Sequence, residues 1–166
     1  MPKYRSHLPQ LNGGMFLTDG GIETTLIFHD GLELPYFAAF HLLKDKTGSE
    51  ALLKYYRIHA SIACSHGVGF ILESPTWRAS SDWGAKLGYS PAAIADANRQ
   101  AIDLMRELRE QFESPRSAMV ISGCVGPRGD GYDPGQVMSE AEAEAYHRQQ
   151  LAFLVRPTRT SSRPLR

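Results

Sequence analysis

Three short apolar runs, Gly14-Met15-Phe16-Leu17, Val68 to Leu72 and Ala118-Met119-Val120-Ile121, decide what this chain can fold into. Each has the length of a buried strand, and each runs straight into a polar or glycine-rich stretch. The first leads to Asp19-Gly20-Gly21, the second to Glu73-Ser74-Pro75-Thr76-Trp77, and the third to Gly123-Cys124-Val125-Gly126-Pro127. Helical patterns separate them. Ala51, Tyr55, Ile58 and Ile62 recur at helical spacing, with Ser49 as the expected N-cap and Gly67 as the closing residue. Ser90-Pro91 opens a second helix whose apolar stripe is Ile94, Ala97, Ala101, Leu104, Leu108 and Phe112, and Ser114-Pro115 stops it. Ser139 and Glu142 form a capping box for a last helix that runs to about Leu154. Residues 1–13 read as an irregular lead-in, 34–40 as a loop packed over one end of the core, and 80–89 as irregular. Alternating strands and helices predict an α/β fold, with βαβ units, a parallel sheet and helices outside.

In such sheets ligands sit at the C-terminal ends of the strands, where all three polar stretches fall. Asp19 brings a carboxylate to the first strand's end, while Gly20 and Gly21 permit a tight turn and close backbone approach. With a short helix from Thr24 to Phe28, this junction gathers a carboxylate and free backbone N–H groups at one point. Asp-Gly is also common turn chemistry, so a plain turn stays open on these residues alone. Asp19, Glu23 and Glu73 admit another reading, as carboxylates of a Mg²⁺ or acid/base site in an unrelated barrel enzyme. Glu23 equally suits a solvated first helical turn.

Other classes of function are disfavoured. Eighteen basic residues balance eighteen acidic ones, so no global field calls for nucleic acid or a membrane surface. A hydrophobic content of 42% and a charged content of 22% are those of an ordinary globular chain. Met1-Pro2-Lys3-Tyr4-Arg5 lacks the apolar run of a signal peptide, and a cytoplasmic protein is expected. Cys64 and Cys124 form no CxxC, and His59, His66 and His147 make no zinc spacing, so no metal ligand is assigned. Gly126-Pro127-Arg128-Gly129-Asp130-Gly131 is no phosphate loop, because Pro127 removes an N–H and no Lys-Ser/Thr pair follows. Residues 155–166, rich in Pro, Ser and Arg, are expected to be disordered.

Taken together, the strand ends resemble the N-terminal part of the homocysteine S-methyltransferase family, which includes betaine–homocysteine methyltransferase. Leu17-Thr18-Asp19-Gly20-Gly21-Ile22-Glu23-Thr24 fits the family's opening strand and Asp-Gly-Gly turn. Ser74-Pro75-Thr76-Trp77-Arg78-Ala79-Ser80 follows its Thr-x-Thr-aromatic-x-Ala pattern with Ser in the first place. Gly123-Cys124-Val125-Gly126-Pro127 has the shape of its Gly-Ser-Ile-Gly-Pro, with Cys124 at the Ser position. Tyr146-His147-Arg148-Gln149-Gln150-Leu151 is similar to its next helix, and the likeness runs from about Met15 to Leu154.

The resemblance implies about the first three βα units of a (β/α)8 TIM barrel, residues 14–154, that binds homocysteine and a small methyl donor. Zinc in the full-length family holds the homocysteine sulfur as thiolate, which attacks the donor's methyl group. Asp19 would pair the substrate ammonium, with Gly20 and Gly21 N–H groups facing its carboxylate, and Ser74 and Thr76 adding hydrogen bonds. Trp77 and Arg78 would lie on the donor side. The sequence departs from the family in lacking its Gly-Gly-Cys-Cys zinc motif and a fourth strand. A full barrel needs about 250 residues, so a truncated or frame-shifted chain, inactive and without zinc on its own, is expected. The alternative is a non-catalytic binding or assembly module that completes its barrel with another chain.

Overall fold

The computed structural model describes residues 3–133, 135 and 137–155. Among the described residues the sheet has three strands, β1 (Phe16–Thr18), β2 (Gly69–Glu73) and β3 (Met119–Ser122), in the order β1-β2-β3. Both pairings are parallel, Phe16 opposite Gly69 and Phe70 opposite Met119. The expected α/β fold with outer helices is what forms. Parallel pairing in this register brings Thr18, Glu73 and Ser122 to one edge of the sheet. The three polar stretches thereby meet.

A one-turn helix α1 (Ile22–Thr24) leaves the first turn and continues as a π turn over Thr25–His29, in place of a regular short helix. The passage expected to be a loop contains two short 3-10 turns, Pro35–Phe37 and Ala39–Lys44. Helix α2 (Lys46–His66) is capped four residues before the expected Ser49, by Asp45 accepting from the Gly48 N–H at 2.8 Å. Gly67 closes α2 in the left-handed conformation (φ 62°), as its position predicts. Helix α4 (Pro91–Phe112) has Ser90 as its cap, accepting from the Ala93 N–H. Helix α3 (Ser81–Lys86) occupies the stretch expected to be irregular. Helix α5 (Glu140–Val155) starts with the expected capping box, Ser139 N–H donating to Glu142 and Glu142 N–H to Ser139 Oγ. A 3-10 turn at Pro9–Leu11 lies in the lead-in. Of the tail expected over 155–166, only Val155 lies within the described residues.

The core fills the space between the sheet and its helices. Leu26, Phe40, Leu52, Tyr56, Phe70, Leu72, Met105, Leu108 and Met119 are fully buried. The α4 stripe behaves as expected, with Ile94, Ala97, Ala101, Leu104 and Leu108 buried. The α2 stripe does not. Ile58 and Ile62 are 54% and 46% exposed, while Leu52, Leu53, Tyr56, Ala60 and Ala63 face inward with Tyr55. Cys64 is half-buried, its thiol donating to the Phe112 carbonyl at 3.3 Å. No helix among the described residues is long and apolar enough to cross a membrane.

Candidate functional site

At the C-terminal ends of the strands a cavity of about 310 Å³ opens, lined by Asp19, Gly20, Gly21, Glu23, Glu73 and Ser74, with Tyr56, Trp77 and Cys124 completing its walls. The sequence expectations for Asp19, Gly20, Gly21, Ser74 and Trp77 thus converge on one space. Thr76 and Arg78 do not line it.

Helix α2 supplies the support that the sequence did not signal. Two adjacent tyrosines, Tyr55 and Tyr56, reach up to the turns. The Tyr55 hydroxyl lies 3.0 Å from both Asp19 Oδ2 and the Gly20 carbonyl, and its single proton is shared between them. The Tyr56 hydroxyl donates to the Glu73 carbonyl at 2.7 Å. Tyr55 had the periodicity of a core residue, and its phenol gave no further hint.

Ser74 and Thr76 stitch the second strand's loop to the third. The Thr76 hydroxyl donates to the Cys124 carbonyl at 2.7 Å, so its partner at 2.8 Å, the Ser74 hydroxyl, must donate to Thr76. Ser74 Oγ then accepts from the Cys124 N–H at 3.1 Å. Both hydroxyl protons are spent internally, and of the two residues only Ser74 lines the cavity. Thr76 is a strut.

A buried amide network holds the same loop from behind. Gln150 on α5 donates through Nε2 to the Thr76 carbonyl at 2.8 Å and faces Asn98 Oδ1 at 3.3 Å. Asn98 on α4 donates in turn to the Ala79 and Ile94 carbonyls. Both amides are nearly fully buried. Replacing Gln150 by Leu leaves the Thr76 carbonyl and Asn98 Oδ1 buried without this donor and is expected to cost about 1–3 kcal/mol of folding stability. Urea denaturation of the two proteins checks it; an unchanged midpoint would remove Gln150 from this network.

The electrostatics of the cavity are one-sided. Burial pushes the Asp19 carboxyl above the usual range, and the Glu73 charge adds to this, against the Tyr55 hydrogen bond. Glu23 is raised by burial and by Asp19 and Glu73, with Arg78 opposing. None of the three carboxylates makes an ion pair among the described residues. The Cys124 thiol is pushed far up by burial, by Glu73 and by the two other acids. Such a thiol resists forming the thiolate that zinc prefers. No group of three or more His, Cys, Asp or Glu among the described residues could hold a metal ion. These residues by themselves do not fit a zinc site.

Residues 16–159 match the family model for homocysteine S-methyltransferase. The chain belongs to the homocysteine S-methyltransferase family. No curated protein matches it significantly. Among solved structures it is similar to the homocysteine methyltransferase MmuM from Escherichia coli, in its metallated form, with a TM-score of 0.65 and 18% identity. The match covers 89% of this chain and 52% of that one. At that identity the likeness speaks for the fold, three βα units of a methyltransferase barrel. The chain spans about half the length of that relative.

Proposed function

We propose that the acidic cavity is the corner of a homocysteine methyltransferase barrel that binds the amino-acid end of homocysteine. The observation that carries this reading is the convergence of Asp19, Glu23 and Glu73 on one small cavity, none of them in an ion pair among the described residues. Buried carboxylates that repel one another are costly to ionise, and an incoming ammonium relieves that cost. Asp19 takes the ammonium, held in place by Tyr55. The exposed turn at Gly20 and Gly21 offers backbone N–H groups to the substrate carboxylate, and Ser74 Oγ accepts from the ammonium.

In the transfer itself, the homocysteine sulfur forms a bond to the donor's methyl carbon as that carbon's bond to the onium atom breaks. The described residues contribute positioning to this step: they fix the amino-acid end so that the sulfur points away from the acids. Zinc, which the family uses to hold the sulfur, finds no ligand set among them.

Calorimetry with homocysteine and with 4-mercaptobutyrate, the same thiol acid without its amino group, tests the reading. Homocysteine is expected to bind at least about tenfold more tightly, the discrimination a charge-assisted hydrogen bond provides. Equal affinities would remove the ammonium-binding role from this cavity.

A further inference from the structure

Another cavity, of about 350 Å³, shares no lining residue with the acidic one. It lies between α3, the first turn of α4 and the second half of α5, with Tyr89, Pro91, Ile94, Tyr146 and Phe153 among its walls. No charged side chain is among the described residues that line it. Its volume suits a small organic molecule.

One polar group in this wall has no partner. Gln150 lines the cavity and is 3% exposed. Its Nε2 is committed to the Thr76 carbonyl and Asn98 Oδ1, while its Oε1 is buried and accepts no hydrogen bond among the described residues. The neighbouring hydroxyls are engaged elsewhere. Tyr146 donates to Ser80 Oγ at 2.9 Å, and Tyr89 is bonded to His41 Nδ1 at 2.9 Å. An amide held by its nitrogen cannot turn its oxygen to a new donor without giving up the contacts it has. Leaving a buried acceptor unmet is unfavourable, so a donor brought by a ligand is favoured here.

The walls restrict what can bring it. Rings packed against Tyr89, Tyr146 and Phe153 gain more than their buried area alone provides. A charged ligand would lose its hydration with nothing of opposite charge to face. We propose that this cavity binds a neutral aromatic molecule with one N–H or O–H donor, an indole or a phenol, whose donor meets Gln150 Oε1. The two cavities have separate walls, so this inference stands apart from the homocysteine reading.

Titrating indole, 1-methylindole and 3-methylindole into isotope-labelled protein tests it. The readouts are the Gln150 side-chain amide signals and the backbone amides of Ile94 and Phe153. Indole is expected to move them saturably. 3-Methylindole keeps the N–H and should bind about as tightly as indole. 1-Methylindole has the same added bulk and no donor, and should bind at least about tenfold more weakly. In Gln150→Met, which keeps the side chain's length without its acceptor, the two methylindoles should bind alike. Equal affinities for them in the unmodified protein would overturn the proposal, whether or not the variant folds. So would shifts confined to the acidic cavity, or no saturable shift at Gln150, Ile94 and Phe153. A preference for 3-methylindole retained in Gln150→Met would overturn it too, by placing the acceptor on another residue.

Discussion

Replacing Asp19 with Asn is expected to weaken homocysteine binding by roughly 2–3 kcal/mol, about 30- to 150-fold, while leaving the free protein as stable as before or more so. The two effects have opposite signs for one reason. Asp19 is half-buried, its pKa raised first by burial and then by Glu73. Asn removes the charge that burial penalises, and its side-chain oxygen can still accept from Tyr55. Without the charge, however, an ammonium has nothing to pair with. Calorimetry for affinity and thermal melting for stability separate the two. A variant that binds normally would contradict the role of Asp19, and one that merely unfolds would make it structural.

The raised pKa values also set a pH dependence. A carboxylate whose folded pKa lies above its unfolded value binds its proton more tightly when folded. Its contribution therefore favours folding most below the unfolded pKa and declines as pH rises through the folded one. Ligand affinity runs the other way, because the ammonium needs the ionised acids. On acidification, homocysteine binding should fall while ordinary surface carboxylates are still charged, and Asp19→Asn should flatten that fall.

The second large effect is expected at Gly126. A Cβ there would lie 2.3 Å from the Trp77 carbonyl oxygen and 2.5 Å from its indole Cδ1. The Gly126 N–H donates to that same carbonyl at 3.1 Å, so the two loops meet backbone to backbone. Backbone cannot step aside as a flexible side chain can. Gly126→Ala is expected to cost on the order of 3 kcal/mol, at the upper end of overpacking, and to displace Trp77 from the cavity wall. Gly131→Ala is the control: its Cβ would meet Trp77 Cζ2 at 3.4 Å, an ordinary contact. Urea midpoints and tryptophan emission should change for the first variant and stay put for the second. Equal behaviour would show that the loops yield.

Much of this was legible in the sequence, for physical reasons that differ between elements. The strands were readable as isolated apolar runs, and α4 as a capped helix with a clean stripe, because packing on one face imposes a period. The α2 face was misjudged since Ile58 and Ile62 look like core residues, while Leu52, Leu53 and Tyr56 carry the actual burial. Six residues of α3 were too few for a period to emerge. At the site, Asp19-Gly20-Gly21 was legible only together with the other two polar strand ends, because Asp-Gly alone is common turn chemistry. The supports were not legible. Tyr55 lies on α2, and Gln150 reaches Thr76 from α5, so only the fold brings them together. Local spacing carries no trace of such contacts.

Whether the three strand ends form one amino-acid site can be read from the amide chemical shifts of the isotope-labelled chain. Adding homocysteine should move the amide signals of Gly20, Gly21, Glu23 and Ser74, together with the Trp77 indole, and all of them should saturate with one dissociation constant. Shifts confined to other surfaces, or no shift at these residues at homocysteine concentrations that saturate a full-length member of the family, would contradict a single amino-acid site.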